Sequence, residues 1–159
     1  MKKLFILTST LLFALGSFAY SPRNIDEKLV HAFSTSFPRA EKVNWQELTE
    51  AYVVSFVDNG IRSRITYHKK DGTILSYIRY YFEETLPVNI RLNVKREFPG
   101  KKIWGVVEVS LLPDSDDQQP GQGLQTFYYV KLEGTNTWTT VKVDTNGNSD
   151  IVERYRKAL

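Results

Sequence analysis

The 159-residue sequence contains no cysteine. This absence excludes disulfide bonds, thiol nucleophiles and thiolate metal ligands together. Blocks of five or six like charges are also missing, so a nucleic-acid partner or an acidic membrane surface has no support. The folded chain must therefore be held together by the burial of apolar surface alone.

Catalytic motifs are absent as well. The sequence has no Gly-x-Ser-x-Gly turn, no phosphate-binding glycine loop and no His-Glu-x-x-His pair. Its two histidines, His31 and His68, fall on different predicted elements and are interpreted as ordinary surface or half-buried side chains. We therefore predict a protein that is not an enzyme, with no cofactor and no metal site.

Two acidic segments have some features of a calcium site. Residues 144–150 resemble the start of a calcium loop, but Gly147 stands at position four rather than six, and Tyr155 stands where a closing Glu would be. A hairpin turn is the favoured interpretation. A weak ion site at Asp114, Asp116 and Asp117 is the alternative to a solvated connection there.

The one long apolar run lies at the start of the chain. Lys2 and Lys3 precede an apolar stretch over residues 4–16, and Ser17-Phe18-Ala19 has the small residues of a cleavage site. The run is shorter than the roughly 20 apolar residues that span a bilayer. We predict a signal peptide over residues 1–19, a periplasmic or secreted chain that begins at Tyr20, and no membrane insertion after cleavage.

Removal of this leader changes the charge of the protein. The full chain has 21 basic and 18 acidic side chains, and loss of Lys2 and Lys3 leaves 19 basic ones. The net charge therefore falls from +3 to about +1.

The rest of the chain contains an internal repeat, with a first copy over residues 20–83 and a second over 84–159. Three kinds of feature recur in the same order: a Phe-Pro pair, an alternating apolar strand and a Gly turn followed by Arg-Tyr. They are Phe37-Pro38 and Phe98-Pro99, Tyr52/Val54/Phe56 and Tyr128/Val130/Leu132, Gly72 and Gly147, and Arg79-Tyr80 and Arg154-Tyr155. A polar loop near residues 113–123 is inserted in the second copy. Two copies of one folding unit that together form a single compact domain are indicated.

Each copy is predicted to contain one helix and four strands. Asn24 and Glu27 form a capping pair before an apolar stripe of Ile25, Leu29, Phe33 and Phe37. In the second copy, residues 88–94 also alternate as a strand would, but the matching Phe-Pro stop favours a helix. Strands are predicted near residues 42–48, 51–57, 61–68, 74–82, 102–112, 125–133, 136–143 and 149–156.

This order of elements resembles that of the PepSY-like, beta-lactamase-inhibitor-like proteins secreted by Bacteroidetes-type bacteria. Each copy runs from a helix through Phe-Pro, a hydrophobic strand, a hairpin and an Asp-Gly or Asn-Gly turn, and Leu86-Pro87 opens the second. The resemblance implies an α+β fold of two tandem α-β-β-β-β repeats, with helices packed on one face of an antiparallel sheet. In the beta-lactamase inhibitor protein, the open concave face of the sheet contacts the enzyme. The family supplies no catalytic residues.

Period-two alternation assigns the aromatic side chains to the two faces of the sheet. The helix-covered face is predicted to contain Tyr52, Val54, Phe56, Ile65, Tyr67, Ile78, Tyr80, Tyr128, Val130, Leu132, Val141 and Tyr155. The opposite face is predicted to contain Arg62, Arg64, Tyr77, Arg79, Tyr81, Tyr129, Lys131, Trp138 and Arg154. On this assignment Tyr77 and Arg79 should be more exposed than Tyr80.

Tyr, Trp and Arg dominate binding hot spots, although aromatic residues also simply favour strands. The candidate partner-binding residues are Tyr77, Arg79, Tyr81, Tyr129 and Trp138. The predicted function is an exported binding or inhibitory module whose exposed aromatic and arginine face meets a protein or peptide partner in the cell envelope. The alternatives are a small-ligand carrier with a cavity between sheet and helices, and an enzyme of unrecognised type.

Overall fold

A computed structural model describes residues 25–113 and 123–158. Their strands form one continuous antiparallel sheet of eight, in the order β1 to β8. The first half contains α1 (Glu27–Ser36), β1 (Glu41–Glu47), β2 (Ala51–Asp58), β3 (Ile61–His68) and β4 (Ile74–Tyr81). After a short 3-10 helix (Glu83–Thr85), the second half contains α2 (Val88–Glu97), β5 (Lys102–Leu111), β6 (Gln125–Glu133), β7 (Thr137–Asp144) and β8 (Ser149–Arg156). The predicted α+β arrangement is confirmed.

Three predictions concern residues outside the described ranges. They are the signal peptide over residues 1–19, the capping role of Asn24, and most of the inserted loop with Asp114, Asp116 and Asp117. In the described ranges, no helix has the length and apolar character needed to cross a membrane.

Local chemistry accounts for the start of α1 and for the end of both helices. The carboxylate of Asp26 caps α1 by accepting a 2.9 Å hydrogen bond from the backbone N–H of Lys28. Each helix ends at a Phe whose backbone N–H bonds back one turn, from Phe37 to Phe33 and from Phe98 to Val94. The proline that follows each Phe disfavours a further helical turn. For α2, the helix is confirmed over the strand alternative.

The two helices cover the same face of the sheet, each above its own apolar cluster. Under α1, Phe33 packs with Trp45, Val54, Phe56 and Ile65. Under α2, Ile90 and Val94 pack with a second set of strand residues: Tyr81, Ile103, Val106, Tyr128, Val130, Leu132, Val141 and Val143. The other face carries no helix in the described ranges, and we call it the open face.

Bulges in the last strand of each half decide which side chains reach the open face. In β4, Thr66 pairs with Ser76 while Tyr67 pairs with Ile74, so Leu75 is an extra residue. In β8, Val152 is the extra residue in the same way. One extra residue moves every later side chain to the opposite face, because side chains alternate with a period of two.

The face assignment was therefore wrong beyond each bulge. In β4, Tyr81 is 5% exposed in the α2 cluster, whereas Tyr80 is 39% exposed. Tyr77 and Arg79 lie with Tyr81 on the helix-covered face, and Ile78 lies with Tyr80 on the open face. In β8, Arg154 pairs with buried Thr139 on the helix-covered face, and Tyr155 pairs with Trp138 on the open face. The predicted order of exposure for Tyr77, Arg79 and Tyr80 is reversed.

A polar contact separates the two apolar clusters where β4 meets β5. The Glu108 side chain is 2% exposed and its carboxylate forms an ion pair with Arg79. Its second oxygen accepts a 2.9 Å hydrogen bond from the Tyr81 hydroxyl. The Arg79 guanidinium also lies between two rings, 5.2 Å from the Tyr77 centroid and 5.6 Å from that of Tyr81. Arg79 is thus part of the junction between the halves.

Burial of tyrosine hydroxyls makes stability fall at alkaline pH. Burial raises the pKa of Tyr67 to about 12, and burial followed by the nearby Glu108 charge raises the pKa of Tyr81. An unfolded tyrosine ionises at about pH 10. Above that pH the unfolded chain holds fewer protons than the folded chain, so the free energy of unfolding decreases as pH rises. Urea unfolding between about pH 8 and 11 should show this decrease, and Tyr67→Phe should reduce it. If the free energy of unfolding depended on pH in the same way in the wild type and in Tyr67→Phe, the raised pKa of Tyr67 would not be its cause.

The two corresponding turn glycines provide a matched test of helix packing. Both have positive φ, +72° at Gly72 and +90° at Gly147. A Cβ added at Gly72 meets only Leu29 Cδ1 at 3.7 Å, whereas one at Gly147 lies 1.9 Å from Asn93 Nδ2 of α2. Gly72→Ala should cost about 1–2 kcal/mol from backbone strain alone. Gly147→Ala should lower the free energy of unfolding further, because Asn93 must move. Equal costs in thermal or urea unfolding would show that α2 tolerates the added methyl group.

Candidate functional site

A groove of about 510 Å³ crosses the open face where the two halves of the sheet join. It is lined from the first half by Arg62, Tyr80 and Phe82, and from the second by Trp104, Tyr129 and Lys131, among others. Phe82 is 66% exposed and Trp104 is 59% exposed. Exposed large apolar side chains that line one groove together, rather than singly, mark a candidate contact surface.

The first-half wall of the groove is ordered by a cation–π contact. The Arg62 guanidinium carbon lies 5.8 Å from the centroid of the Tyr80 ring. The two residues face each other across β3 and β4. They also line a second concavity of about 520 Å³ beside the groove, together with Lys42 and Arg64. The Arg62–Tyr80 contact thus separates two neighbouring depressions.

The second-half wall is a lysine surrounded by aromatic rings. The Lys131 ammonium lies 5.4 Å from the Trp104 centroid, 5.0 Å from that of Trp138 and 5.8 Å from that of Tyr155. The two tryptophan rings meet edge to face at 5.9 Å. We call Trp104, Lys131, Trp138 and Tyr155 the aromatic cluster. Such mutual contacts hold exposed rings in place and lower the entropy lost on binding.

A surface ion pair borders the aromatic cluster. The Lys157 ammonium lies 5.1 Å from the Trp138 centroid and 2.7 Å from a carboxylate oxygen of Glu133. The hydrogen bond that Lys157 donates to Glu133 lowers the pKa of the Glu133 carboxyl. The Glu133 carboxylate beside the cluster is therefore engaged with Lys157.

A bulge in β5 places Trp104 on the open face. Ile103 pairs with Leu132 and Gly105 with Lys131, so Trp104 is an extra residue without a direct partner. The first strand of the other half has a bulge at the corresponding position, where Lys42 has φ +52°. The two first strands thus share an irregularity, and in the second half it presents a tryptophan to the groove.

The structure separates the five sequence-predicted site residues into two groups. Tyr129 and Trp138 lie on the open face, at the groove and in the aromatic cluster respectively. Tyr77, Arg79 and Tyr81 lie on the helix-covered face, as described above. These three residues are therefore removed from the candidate site. This correction follows from the bulge at Leu75.

Sequence reasoning did not select the exposed large apolar residues of the groove, Trp104, Tyr80 and Phe82. For Trp104 a signal existed, because it follows the inward Ile103 directly and so falls out of phase with the core. For Tyr80 no such signal existed, because regular alternation placed it inside. Tyr155 was misplaced in the same way.

The histidines and the acidic turn have local roles. His31 is exposed on α1, and His68 Nδ1 lies 3.1 Å from the Asp71 carboxylate. Hydrogen bonds from Thr73 and His68 lower the pKa of Asp71 to about 2. The Asp144 carboxylate accepts backbone hydrogen bonds from Asn146 and Asn148 at 2.8 and 2.9 Å, which closes the β7–β8 turn. In residues 25–113 and 123–158, no group of three or more metal-ligating side chains is found.

Comparisons with known proteins place the fold. No family model and no curated protein matches the sequence. A BLIP-like protein from Bacteroides fragilis is similar in structure, with a TM-score of 0.57 and 12% identity, over 84% of this chain and 86% of that chain. A proposed periplasmic protein from Bacteroides eggerthii has a TM-score of 0.54 and 15% identity, over 84% and 89%.

A DUF2874 family protein from Bacteroides uniformis is similar to the same degree, with a TM-score of 0.54 and 16% identity, over 84% of this chain and 90% of that chain. Likeness at such low identity shows a shared fold. The BLIP-like architecture implied by the order of elements is confirmed. The PepSY part of the resemblance stays a prediction.

Proposed function

We propose that this protein is an exported, non-enzymatic binding module whose open face contacts a protein or peptide partner in the cell envelope. The observation that carries the proposal is the exposed groove at the junction of the halves, where Trp104, Tyr80 and Phe82 are all accessible. The predicted leader over residues 1–19 and the similarity to a proposed periplasmic protein support an envelope location.

The groove has the composition of a binding hot spot. Its tryptophan, tyrosines and arginine are the residue types that contribute most to protein interfaces. The rings of Tyr80 and Trp104 are already held by cation–π contacts with Arg62 and Lys131. Binding therefore immobilises few side chains, and more of the contact energy is available for affinity.

The carrier alternative has no comparable observation in its favour. It requires a cavity between sheet and helices, but Phe33, Phe56, Ile65, Ile90 and Val130 meet there as buried core residues. Their exposed fractions are 5% or less. Such packing leaves the space between helices and sheet to the protein's own side chains.

The proposal is tested by comparing two exposed apolar residues on different surfaces. Trp104 on the open face is 59% exposed and Leu92 on α2 is 60% exposed. The mature protein is used to capture partners from envelope extract. A captured protein is then titrated against the mature protein and against each alanine variant. Trp104→Ala should weaken binding by about 2 kcal/mol or more, as expected for a hot spot. Leu92→Ala should leave it unchanged.

Both variants should remain as stable as the wild type to within about 0.5 kcal/mol, because the deleted side chains are exposed. A partner that binds the two variants equally, or one lost only with Leu92→Ala, would place the interface elsewhere and contradict the proposal.

A further inference from the structure

The two concavities of the open face are lined by cations and by no carboxylate. Arg62 and Lys131 line the groove, and Lys42 and Arg64 extend the positive lining into the second concavity. Neither lining includes an Asp or Glu. Among the described residues, none of these four cations takes part in an ion pair.

Three lysines elsewhere in the described chain are paired with carboxylates. Lys69 is paired with Glu47, Lys95 with Glu83 and Lys157 with Glu133. At the groove, aromatic rings take the place of carboxylates as neighbours of Arg62 and Lys131. A ring quadrupole orients a cation without cancelling its charge. The groove therefore combines an apolar lining with two cations that take part in no described ion pair.

We propose that the groove binds an acidic protein segment, in which an apolar side chain enters the groove and neighbouring carboxylates pair with Arg62 and Lys131. This inference rests on the proposed function and specifies the chemistry of its partner. Arg62 suits the role because a guanidinium held against Tyr80 can form two parallel hydrogen bonds to one carboxylate. Lys42 and Arg64 widen the potential that attracts the segment.

An acidic polysaccharide is the competing ligand class, and the aromatic cluster argues against it. A sugar ring binds tryptophan by stacking on an uncovered ring face. The Trp104 and Trp138 rings already carry the Lys131 ammonium above them, at 5.4 and 5.0 Å, and Trp138 also carries Lys157 at 5.1 Å. The face of each ring that meets a cation is less accessible to a pyranose, whereas the exposed ring edges and Phe82 suit an apolar side chain.

The test uses a phage-displayed library of random 12-residue peptides selected on the mature protein. Synthetic copies of the enriched peptides are then titrated by fluorescence anisotropy. The groove variant is Arg62→Glu/Lys131→Glu. The control variant, Arg39→Glu/Lys28→Glu, makes the same change in net charge at two exposed residues that do not line either concavity.

We expect enrichment of peptides that carry Asp or Glu beside an aromatic or aliphatic residue. Their binding should weaken about tenfold or more in the groove variant, should fall as salt rises, and should change little in the control variant. Acidic peptides that bind the groove variant as tightly as the wild type would overturn the inference.

Three other outcomes would also overturn it. Enriched peptides without acidic residues that lose affinity with Trp104→Ala would leave the proposed function standing and remove only the acidic partner. Binding of dextran sulfate through Trp104, with no peptide enriched, would replace a protein partner by a polysaccharide. A failure of any peptide or of dextran sulfate to bind would count against both the inference and the proposed function.

Discussion

Replacing Tyr81 with alanine should lower the free energy of unfolding by about 3–5 kcal/mol, the usual cost of deleting a buried aromatic side chain. Tyr81 is 5% exposed and packs in the apolar cluster beneath α2. Its hydroxyl also donates to the buried Glu108 carboxylate at 2.9 Å. Truncation therefore leaves a cavity and removes a hydrogen bond from a desolvated charge.

The neighbouring Tyr80→Ala variant is the matched control. Tyr80 is 39% exposed on the open face, and its described contact is with Arg62. Its truncation should cost about 1 kcal/mol or less, since only a surface cation–π contact is lost. Urea unfolding of the two variants measures the difference directly. A larger loss for Tyr80 than for Tyr81 would mean that the bulge at Leu75 is misplaced and that the faces of β4 are as regular alternation predicts.

The second large effect is expected at the ion pair between the halves. Arg79→Ala removes the cationic partner of Glu108, whose side chain is 2% exposed. Leaving one charge of a buried pair unpaired costs about 3–5 kcal/mol. Because the Arg79 side chain is itself 34% exposed, water can reach the vacated position. We therefore expect the lower end, about 3 kcal/mol.

Two further variants separate loss of the charge partner from loss of packing. Arg79→Leu/Glu108→Leu should recover most of the stability, because replacing both members of a buried pair with apolar residues is often neutral. Lys157→Ala breaks the more exposed pair with Glu133 and should cost about 1 kcal/mol or less. A double variant as unstable as Arg79→Ala would show that packing around Arg79 matters more than its charge.

The sequence predicted secondary structure well because its signals are local. Phe-Pro stops, Gly turns and alternating apolar runs depend on neighbouring residues, and the strands at residues 61–68, 125–133 and 149–156 have the predicted limits. The α1 stripe of Leu29, Phe33 and Phe37 meets the core as expected. The internal repeat also resolved α2, for which alternation alone was ambiguous.

The candidate site was predicted only in part, and the errors share one cause. Tyr129 lies in β6 and Trp138 in β7, and these two strands pair without a bulge. Both residues lie on the open face, as predicted. Tyr77, Arg79 and Tyr81 follow the extra residue Leu75 in β4 and face the helices instead. A bulge has no clear signature in the strand that contains it, because it arises from the match between two strands.

By itself, the sequence determined the absence of thiol chemistry, the duplicated helix-and-strand order and the residues of each helix stripe. These follow from composition and from interactions between near neighbours in the chain. Only the tertiary structure decided that the halves share one sheet, that Arg79 is joined to Glu108, and that Trp104, Tyr80 and Phe82 form the groove. These features depend on register between strands, and register is set by the side chains that pack across the whole sheet.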